Sequence, residues 1–419
     1  MKNRLTNPAV SRIMKKIPFM ILSTLAEKDL TGFNFTKEAG CQSANATGLE
    51  HMKIAIIGAG AVGKALAAYL DISTCKDTTF TLVCHDEKSA MALNSRGIRA
   101  TGVKEASDRP ERHRMVHAVP SIFTLTKRSK FDCLLFAVQT CDLRSAAMEA
   151  LPYLSEDGLA VAFSSGVCAD ILSDVFGKKR TALAVATFYC LAPEDCSVKV
   201  AANGRIYIGR ADKKIDETLV AVQTLLNTAF PTCISEDILS LAFSKTALMS
   251  AILSASVISG KSFAQAAKKH YVRSYYEAIL AEFDDYTTRS EYRLIPFDKH
   301  AQDSLLPLGD HSLLSRLRRR RLWCKISAGY KDYPPTAQAA VPGKEAKKPK
   351  IKSEIFYLNG FLARRAEKSG VAIPLNQAAI RYCSEIEKGK LTPALENIKT
   401  LLRCTSDLAS SEASSEAAT

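Results

Sequence analysis

Residues 52–70, MKIAIIGAGAVGKALAAYL, contain the pattern that decides the fold. The short apolar run Ile54–Ile57 is typical of a strand buried on both faces. A glycine-rich segment follows at once, and Lys64–Leu70 is rich in good helix formers. A Gly-x-Gly-x-x-Gly motif between a strand and a helix predicts a dinucleotide-binding loop, made by Gly58, Ala59, Gly60, Ala61, Val62 and Gly63.

Each glycine of this loop has its own physical role. Gly58 permits a tight turn, Gly60 lets the backbone approach a pyrophosphate, and Gly63 lets the helix pack close to the strand. The start of the helix then offers free N–H groups and a partial positive charge to the phosphates. An ordinary glycine-rich turn is the alternative, and the strand before the motif and the helix after it argue against that alternative.

The composition indicates a globular protein with room for two domains. The chain has 419 residues, of which 47% are hydrophobic, and its net charge is +14. That charge favours anionic partners, either a phosphorylated cofactor and an acidic substrate or nucleic acid. Twelve cysteines occur without the spacing of zinc ligands. We therefore expect no metal site, buried thiols and a reducing, cytoplasmic location.

Residues 1–51 do not fit the pattern that follows. The first 26 residues contain five basic residues and no acidic residue. Their apolar run Ile17–Leu22 is short and interrupted by Pro18, so a targeting signal is the weaker interpretation. We expect a dispensable extension, disordered or preceding a natural start at Met52. No stretch is predicted to be long and apolar enough to cross a membrane.

Short apolar segments alternate with helical segments after the first helix. Strands are predicted at Phe80–Cys84, Lys130–Val138 and Leu159–Phe163. This alternation predicts an α/β fold with a doubly wound, mostly parallel sheet. Because ligands bind beyond the carboxyl ends of such strands, Gln139 and Ser165 are expected near the cofactor, ordinary loop polarity being the alternative.

The residues after the second strand bear on the choice of cofactor. An acid there usually binds the adenosine ribose, whereas a basic residue accepts the 2′-phosphate of NADP. Asp86 favours NAD, while His85 and Lys88 favour NADP. Both cofactors stay open on this pattern.

The chain becomes helical after residue 216. Asp216–Phe230 and Ile238–Ser259 are predicted helices, and the second is apolar on most of its surface. Lys245 lies within it. Its ammonium either reaches the surface past apolar neighbours or serves as a proton donor in a cleft, where burial lowers its pKa.

Two basic runs and a final helix complete the chain. The basic runs are Arg316–Arg321 and Lys344–Lys352, and we expect them to form solvated faces. Nucleic-acid binding is disfavoured, because few aromatic residues lie between the basic ones. Ser353–Gly370 has helical periodicity, with Glu354 in the first turn. After Leu402 the composition predicts a disordered tail.

Together these segments resemble the 2-dehydropantoate 2-reductase (ketopantoate reductase) family over about residues 52–402. The matching pieces are GAGAVG, AVQTCDL, FSSGV, GRIYIGRA, SEDILSLAFSK and SEIFYLNGFLARRAEKSGVAIPLN. The resemblance implies an N-terminal Rossmann domain, an all-helical C-terminal domain and an active site in the cleft between them. It also implies hydride transfer from NADPH to 2-dehydropantoate, which gives pantoate for coenzyme A biosynthesis.

The resemblance also implies roles for individual residues. Lys245 matches the lysine that binds the substrate and donates a proton to the developing alkoxide. Glu354 matches the glutamate that contacts the nicotinamide side of the cofactor and the substrate hydroxyl. Thr336 stands roughly where a substrate-binding serine is expected. The expected partners are a small 2-oxo acid and, at most, a second copy in a homodimer.

Four positions depart from the family pattern. Met249 and Leu253 replace asparagines one and two turns after Lys245, Ser165 replaces an asparagine, and Gln139 replaces a lysine. Met and Leu cannot make amide hydrogen bonds, so the substrate preference is expected to change or binding to be lost. The alternative function is therefore a dinucleotide-binding sensor or interaction protein without catalysis.

The predicted domain organisation follows from these segments. It consists of the extension 1–51, a dinucleotide-binding domain 52–235, a helical substrate domain 236–403 with a basic insertion at about 289–352, and a tail 404–419.

Overall fold

The computed structural model describes residues 52–72, 78–102, 111–126, 128–163, 168–295, 319–324, 327 and 354–404. Contacts divide the chain into Met1–Ala46 and Thr47–Thr419, and every described residue belongs to the second unit. The predicted extension, most of the basic insertion and the tail beyond residue 404 lie outside the described residues.

Two sheets are built from the strands of the described residues. The strands are β1 Lys53–Ile57, β2 Thr79–Val83, β3 Ile98–Thr101, β4 Arg112–Arg114, β5 Ala118–Val119, β6 Phe131–Phe136, β7 Leu154–Ala162, β8 Thr181–Ala186, β9 Tyr189–Leu191, β10 Ser197–Ala202, β11 Ile206–Arg210 and β12 Thr232–Ile234. Eight of them form the large sheet in the order β12-β11-β8-β7-β6-β1-β2-β5.

The large sheet is mixed. Neighbouring strands from β8 through β7, β6, β1 and β2 to β5 are parallel, while β11 is antiparallel to β8 and parallel to β12. The strands β1 and β8 are almost wholly apolar and buried, as expected for strands covered on both faces. The predicted Rossmann-type sheet is therefore confirmed, with an antiparallel edge that the sequence pattern did not predict.

A smaller sheet of four strands has the order β4-β3-β10-β9. Helix α1, Ala61–Tyr69, contacts strands of both sheets. Buried side chains from β1, α1 and β10 accordingly share one hydrophobic core. This arrangement fixes the helix that follows the glycine loop from two sides.

The remaining helices cover the sheet and form the C-terminal region. They include α2 Glu87–Arg96, α3 Thr140–Ala150, α4 Cys168–Phe176, α5 Glu217–Ala229, α6 Ile238–Ser259, α7 Phe263–Ala266, α8 His270–Thr287, α9 Asn359–Ser369 and α10 Pro374–Glu387. Helix α6 contacts α8 and α10 as well as strands β8 and β11. The helical region is therefore packed directly onto the sheet, and the predicted helical C-terminal part is confirmed.

Helix α6 is buried on almost all sides. Asp237 caps its start by accepting a hydrogen bond from the Ser240 N–H at 3.3 Å, and Gly260 ends it with a φ of 65°. The prediction that no stretch is long and apolar enough to cross a membrane is wrong, because this helix meets both criteria. Its most apolar window is 78% buried inside the protein, which is the position of a core helix.

The described part of the first basic run lies partly in the core and partly at the surface, since the two arginines after Arg319 are exposed. Arg319 is buried, and its Nε lies 3.5 Å from a carboxylate oxygen of Glu277. Trp323 is fully buried and packs on Phe263 and Tyr276. Since this indole is enclosed in the core, it cannot stack on a nucleic-acid base.

Candidate active site

The glycine loop has a conformation that side chains would obstruct. Gly58 has a φ of 106°, and its N–H donates to the Val83 carbonyl at 2.9 Å. A Cβ at Gly58 would lie 2.7 Å from the Ala137 carbonyl oxygen, and a Cβ at Gly63 would lie 1.8 Å from the Gly58 oxygen. Both positions therefore require glycine, as the sequence motif predicts.

Gly60 differs from the other two glycines because the space beside it is open. The nearest atom to a Cβ placed there is the Ala137 carbonyl oxygen at 4.0 Å. Gly60 is exposed and directly precedes α1, whose first N–H groups have no acceptors within the helix. A pyrophosphate fits this place, since the backbone can be approached closely and the helix dipole favours an anion.

The end of β2 contains an acid with a structural role. Asp86 caps α2, and its carboxylate accepts hydrogen bonds from the Ser89 N–H at 2.6 Å and the Ser89 hydroxyl at 2.9 Å. These bonds lower its pKa. His85 lies beside it, with its Nε2 2.7 Å from the carboxylate and its side chain 86% exposed. Because its carboxylate already caps the helix, the presence of Asp86 is weaker evidence for NAD as the cofactor.

Gln139 lies at the same edge of the sheet as the glycine loop. It is exposed and precedes the first residue of α3, just beyond the end of β6. The segment between them is bonded to β1, since the Ala137 N–H donates to the Ile57 carbonyl at 2.8 Å. The structure thus brings Gln139 towards the loop, whereas Ser165 lies outside the described residues.

Lys245 is partly exposed in the middle of the buried helix α6. Burial lowers its pKa from 10.5 to about 8, while the nearby charge of Glu354 and the thiol of Cys168 act in the opposite direction. Its Nζ has no hydrogen-bond partner within the described part of the chain. The ammonium is therefore partly exposed, and the groups that affect its pKa belong to Glu354 and Cys168.

The segment around Glu354 differs from the prediction. In place of one helix over Ser353–Gly370, the structure has a 3-10 turn at Glu354–Phe356 and then α9 at Asn359–Ser369. The break falls at Leu358, whose φ of −97° and ψ of −82° are not helical. Glu354 therefore belongs to a short turn of its own, and not to the first turn of α9.

The carboxyl group of Glu354 is largely enclosed. Burial raises its pKa, and the ammonium of Lys245 acts against that rise. The pKa of the Cys141 thiol is raised mainly by burial and by Asp142, and the charge of Glu354 raises it further. Among the described residues its carboxylate oxygens have no hydrogen-bond donor. Glu354 and Lys245 are thus close enough for their charges to interact, and they define the candidate active site.

Two cysteines close to Glu354 and Lys245 were not identified from the sequence. Cys141 lies in the first turn of α3, after β6, and Cys168 begins α4, after β7. The Cys168 sulfur lies 3.9 Å from the hydroxyl oxygen of Thr140. The sequence could have indicated both cysteines, because each follows one of two adjacent parallel strands. The carboxyl ends of such strands lie at one edge of the sheet, where ligands bind.

A buried hydrogen-bond network holds the segment that follows Glu354. The carboxylate of Glu282 accepts from the N–H groups of Leu375 and Asn376 at 2.6 and 2.8 Å and from the Asn376 amide at 2.7 Å. The Asn359 amide in turn donates to the Asn376 side-chain oxygen at 2.8 Å. This network connects α8 and α10 to the start of α9, five residues after Glu354.

Comparisons with known proteins agree with this geometry. Residues 54–213 match the family model of ketopantoate reductase PanE/ApbA. The predicted resemblance to this family is confirmed. No curated protein matches the chain in sequence.

Solved structures extend the likeness to the helical region. D-mandelate dehydrogenase with NADH and anilino(oxo)acetate is 16% identical with a TM-score of 0.64, and the match covers 81% of this chain and 100% of that one. A PanE/ApbA family ketopantoate reductase from Ralstonia eutropha JMP134 is 19% identical with a TM-score of 0.61, covering 81% and 99%. The 2-dehydropantoate 2-reductase from Methylococcus capsulatus is 16% identical with a TM-score of 0.59, covering 81% and 98%. At these identities the likeness establishes the fold.

The ketopantoate reductase pattern is altered on α6. Met249 and Leu253, which stand where the family pattern has asparagines, are both partly exposed on this otherwise buried helix. Thr336, the expected substrate-binding residue, lies outside the described residues.

Proposed function

We propose that this protein reduces a 2-oxo acid to a 2-hydroxy acid with a nicotinamide dinucleotide, using Lys245 as the proton donor. One observation carries the proposal. Lys245 and Glu354 act on each other through their charges, and each also acts on a cysteine at the start of α3 or α4, beyond the carboxyl ends of β6 and β7. The glycine loop occupies the same edge of the sheet, so a cofactor and a substrate can meet there.

The chain's own groups fit a dinucleotide. The open side of Gly60 and the start of α1 would hold the pyrophosphate, and Gln139 would border the cofactor at the end of β6. When bound, the reduced nicotinamide supplies the hydride that adds to the ketone carbon.

Lys245 supplies the proton. With a pKa of about 8, its amine is mostly protonated at neutral pH and still transfers a proton readily. As the C=O π bond breaks, negative charge develops on the ketone oxygen, which the ammonium stabilises. The proton then passes from Nζ to that oxygen, leaving an alcohol and a neutral amine that is protonated again from water.

Glu354 keeps Lys245 in the state that donates. Its carboxylate favours the charged form of the ammonium and so opposes the effect of burial. The same carboxylate would border the nicotinamide and the substrate.

NADPH is the cofactor that we propose. Asp86 is engaged in capping α2, which leaves the exposed His85 and, in the first turn of α2, Lys88 to meet a 2′-phosphate. A His85→Asp variant should lower the preference for NADPH over NADH. An unchanged ratio of the two kcat/KM values would remove His85 from cofactor selection.

The test is a nicotinamide oxidation assay with a panel of 2-oxo acids that includes 2-dehydropantoate, the substrate that the family name suggests. Turnover should require a 2-oxo acid and should fall at least about 100-fold in Lys245→Ala. Lys261→Ala is the control, because this exposed lysine follows the end of α6, about 24 Å along the helix from Lys245. Turnover that survives Lys245→Ala undiminished would refute the mechanism.

The second candidate is a dinucleotide-binding protein without catalysis, and the absence of amides at positions 249 and 253 favours it. Calorimetry separates the two functions. NADPH binding with no turnover of any 2-oxo acid would support the second, and turnover of one panel member would exclude it.

A further inference from the structure

Helix α6 exposes one narrow stripe of its surface. Among its residues after the first turn, every one is buried except Lys245, Met249, Leu253 and Val257. Residues four apart lie on one face of a helix, so these four side chains form a continuous row. The row therefore starts at the proposed proton donor and continues along the exposed side of the helix.

The row is apolar beyond Lys245. Leu253 and Val257 pack against the described core at their inner side, whereas Met249 is not among the side chains packed there. Met249 follows Lys245 by one turn, a rise of about 6 Å, so a small molecule bound at Lys245 can also contact Met249. The carboxyl group of Glu354 and the thiol of Cys168, which affect the pKa of Lys245, lie at the Lys245 end of the row.

We infer that the substrate is a 2-oxo acid whose side chain is apolar and carries no hydroxyl. The inference rests on the proposed function and adds the class of substrate to it. A ketone bound at Lys245 places its side chain against Met249 and Leu253. A hydroxyl there would lose its hydrogen bonds to water and would find no donor or acceptor on the row.

A matched pair of substrates tests this inference. 2-Dehydropantoate is 4-hydroxy-3,3-dimethyl-2-oxobutanoate, and 3,3-dimethyl-2-oxobutanoate lacks only its hydroxyl. The wild-type protein should have a kcat/KM roughly 10- to 100-fold higher for the compound without the hydroxyl, since a buried polar group without a partner is rejected by about that factor. This comparison needs no variant.

Two variants then locate the contact. Met249→Asn restores an amide on the row and should reduce the preference about tenfold. Met148→Asn makes the same replacement on α3 at a side chain that is 61% exposed, and it should leave the preference unchanged. Met249→Gln serves the same purpose if Met249→Asn does not fold.

The outcomes separate the two proposals. If 2-dehydropantoate is reduced as well as or better than its analogue, the inference is overturned and the proposed function stands. If the preference exists but Met249→Asn and Met249→Gln both leave it unchanged, the row does not cause it and the inference is also overturned. If no 2-oxo acid is reduced, the proposed function fails, and the inference fails with it.

Discussion

The pKa of Lys245 predicts how the reduction rate depends on pH. Burial lowers this pKa to about 8, against the raising effects of Glu354 and Cys168. The donor is the protonated form, so activity should be present below pH 8 and lost as the pH rises through that value. The carboxyl of Glu354 has a raised pKa, so an acid limb should appear as it becomes protonated at lower pH.

The expected size of the effect is large. A group with a pKa of about 8 is roughly 90% protonated at pH 7 and about 1% protonated at pH 10, so kcat/KM should fall about 90-fold between them. A lysine at the ordinary value of 10.5 would lose only about a quarter of its protonated form over the same interval. The two cases are therefore easily distinguished.

The assay is the initial rate of NADPH oxidation at low 2-oxo acid concentration, from about pH 6 to about pH 10 at constant ionic strength. Glu354→Gln removes the carboxylate that raises the pKa of Lys245, so the alkaline limb should move to lower pH. Lys245→Arg cannot lose its charge in this range, and any residual activity should lack that limb. A wild-type profile that stays flat to pH 10, or a limb that moves upward in Glu354→Gln, would refute the reasoning.

Three further predictions concern the loop, the buried network and the stability of α6. Gly63→Ala should lower the melting temperature strongly, because its Cβ would meet the Gly58 oxygen at 1.8 Å, whereas Gly60→Ala should fold normally and weaken NADPH binding in calorimetry. Glu282→Gln should lower the free energy of unfolding by about 1–3 kcal/mol in urea, because a buried acceptor of N–H groups at the start of α10 is lost. Lys245→Met should raise the free energy of unfolding at neutral pH while abolishing reduction; a destabilised variant would contradict the burial argument.

The features that the sequence predicted correctly depend on local signals. The strand, glycine loop and helix at 52–70 follow from hydrophobic pattern and steric requirement alone. The predicted bounds of α6 match the structure because Asp237 and Gly260, a cap at each end, are both visible in the sequence. The predicted helix at 216–230 differs only in that Asp216 is its N-cap and Phe230 its C-cap.

The features that were missed depend on tertiary contacts. The break at Leu358 comes between two segments that share one helical period, so the periodicity could not reveal it. The antiparallel strand β11 and the second sheet are set by pairing between distant segments. The strand ends bring Cys141 and Cys168 to one edge of the sheet, but their proximity to Glu354 and Lys245 depends on where α6 and the turn at Glu354 meet that edge.

The position of Lys245 is hard to explain by stability alone. A decrease of its pKa from 10.5 to about 8 corresponds to roughly 3 kcal/mol of unfavourable free energy for keeping the charge in the folded state at neutral pH. The sign follows from proton binding: between pH 8 and 10.5 the unfolded chain binds more protons, so wild-type stability rises with pH in that window. A methionine at the same position would avoid this cost, as the neighbouring Met249 does on the same row. A charge that costs stability, is partly exposed and has a pKa of about 8 has the properties of a group retained for proton transfer.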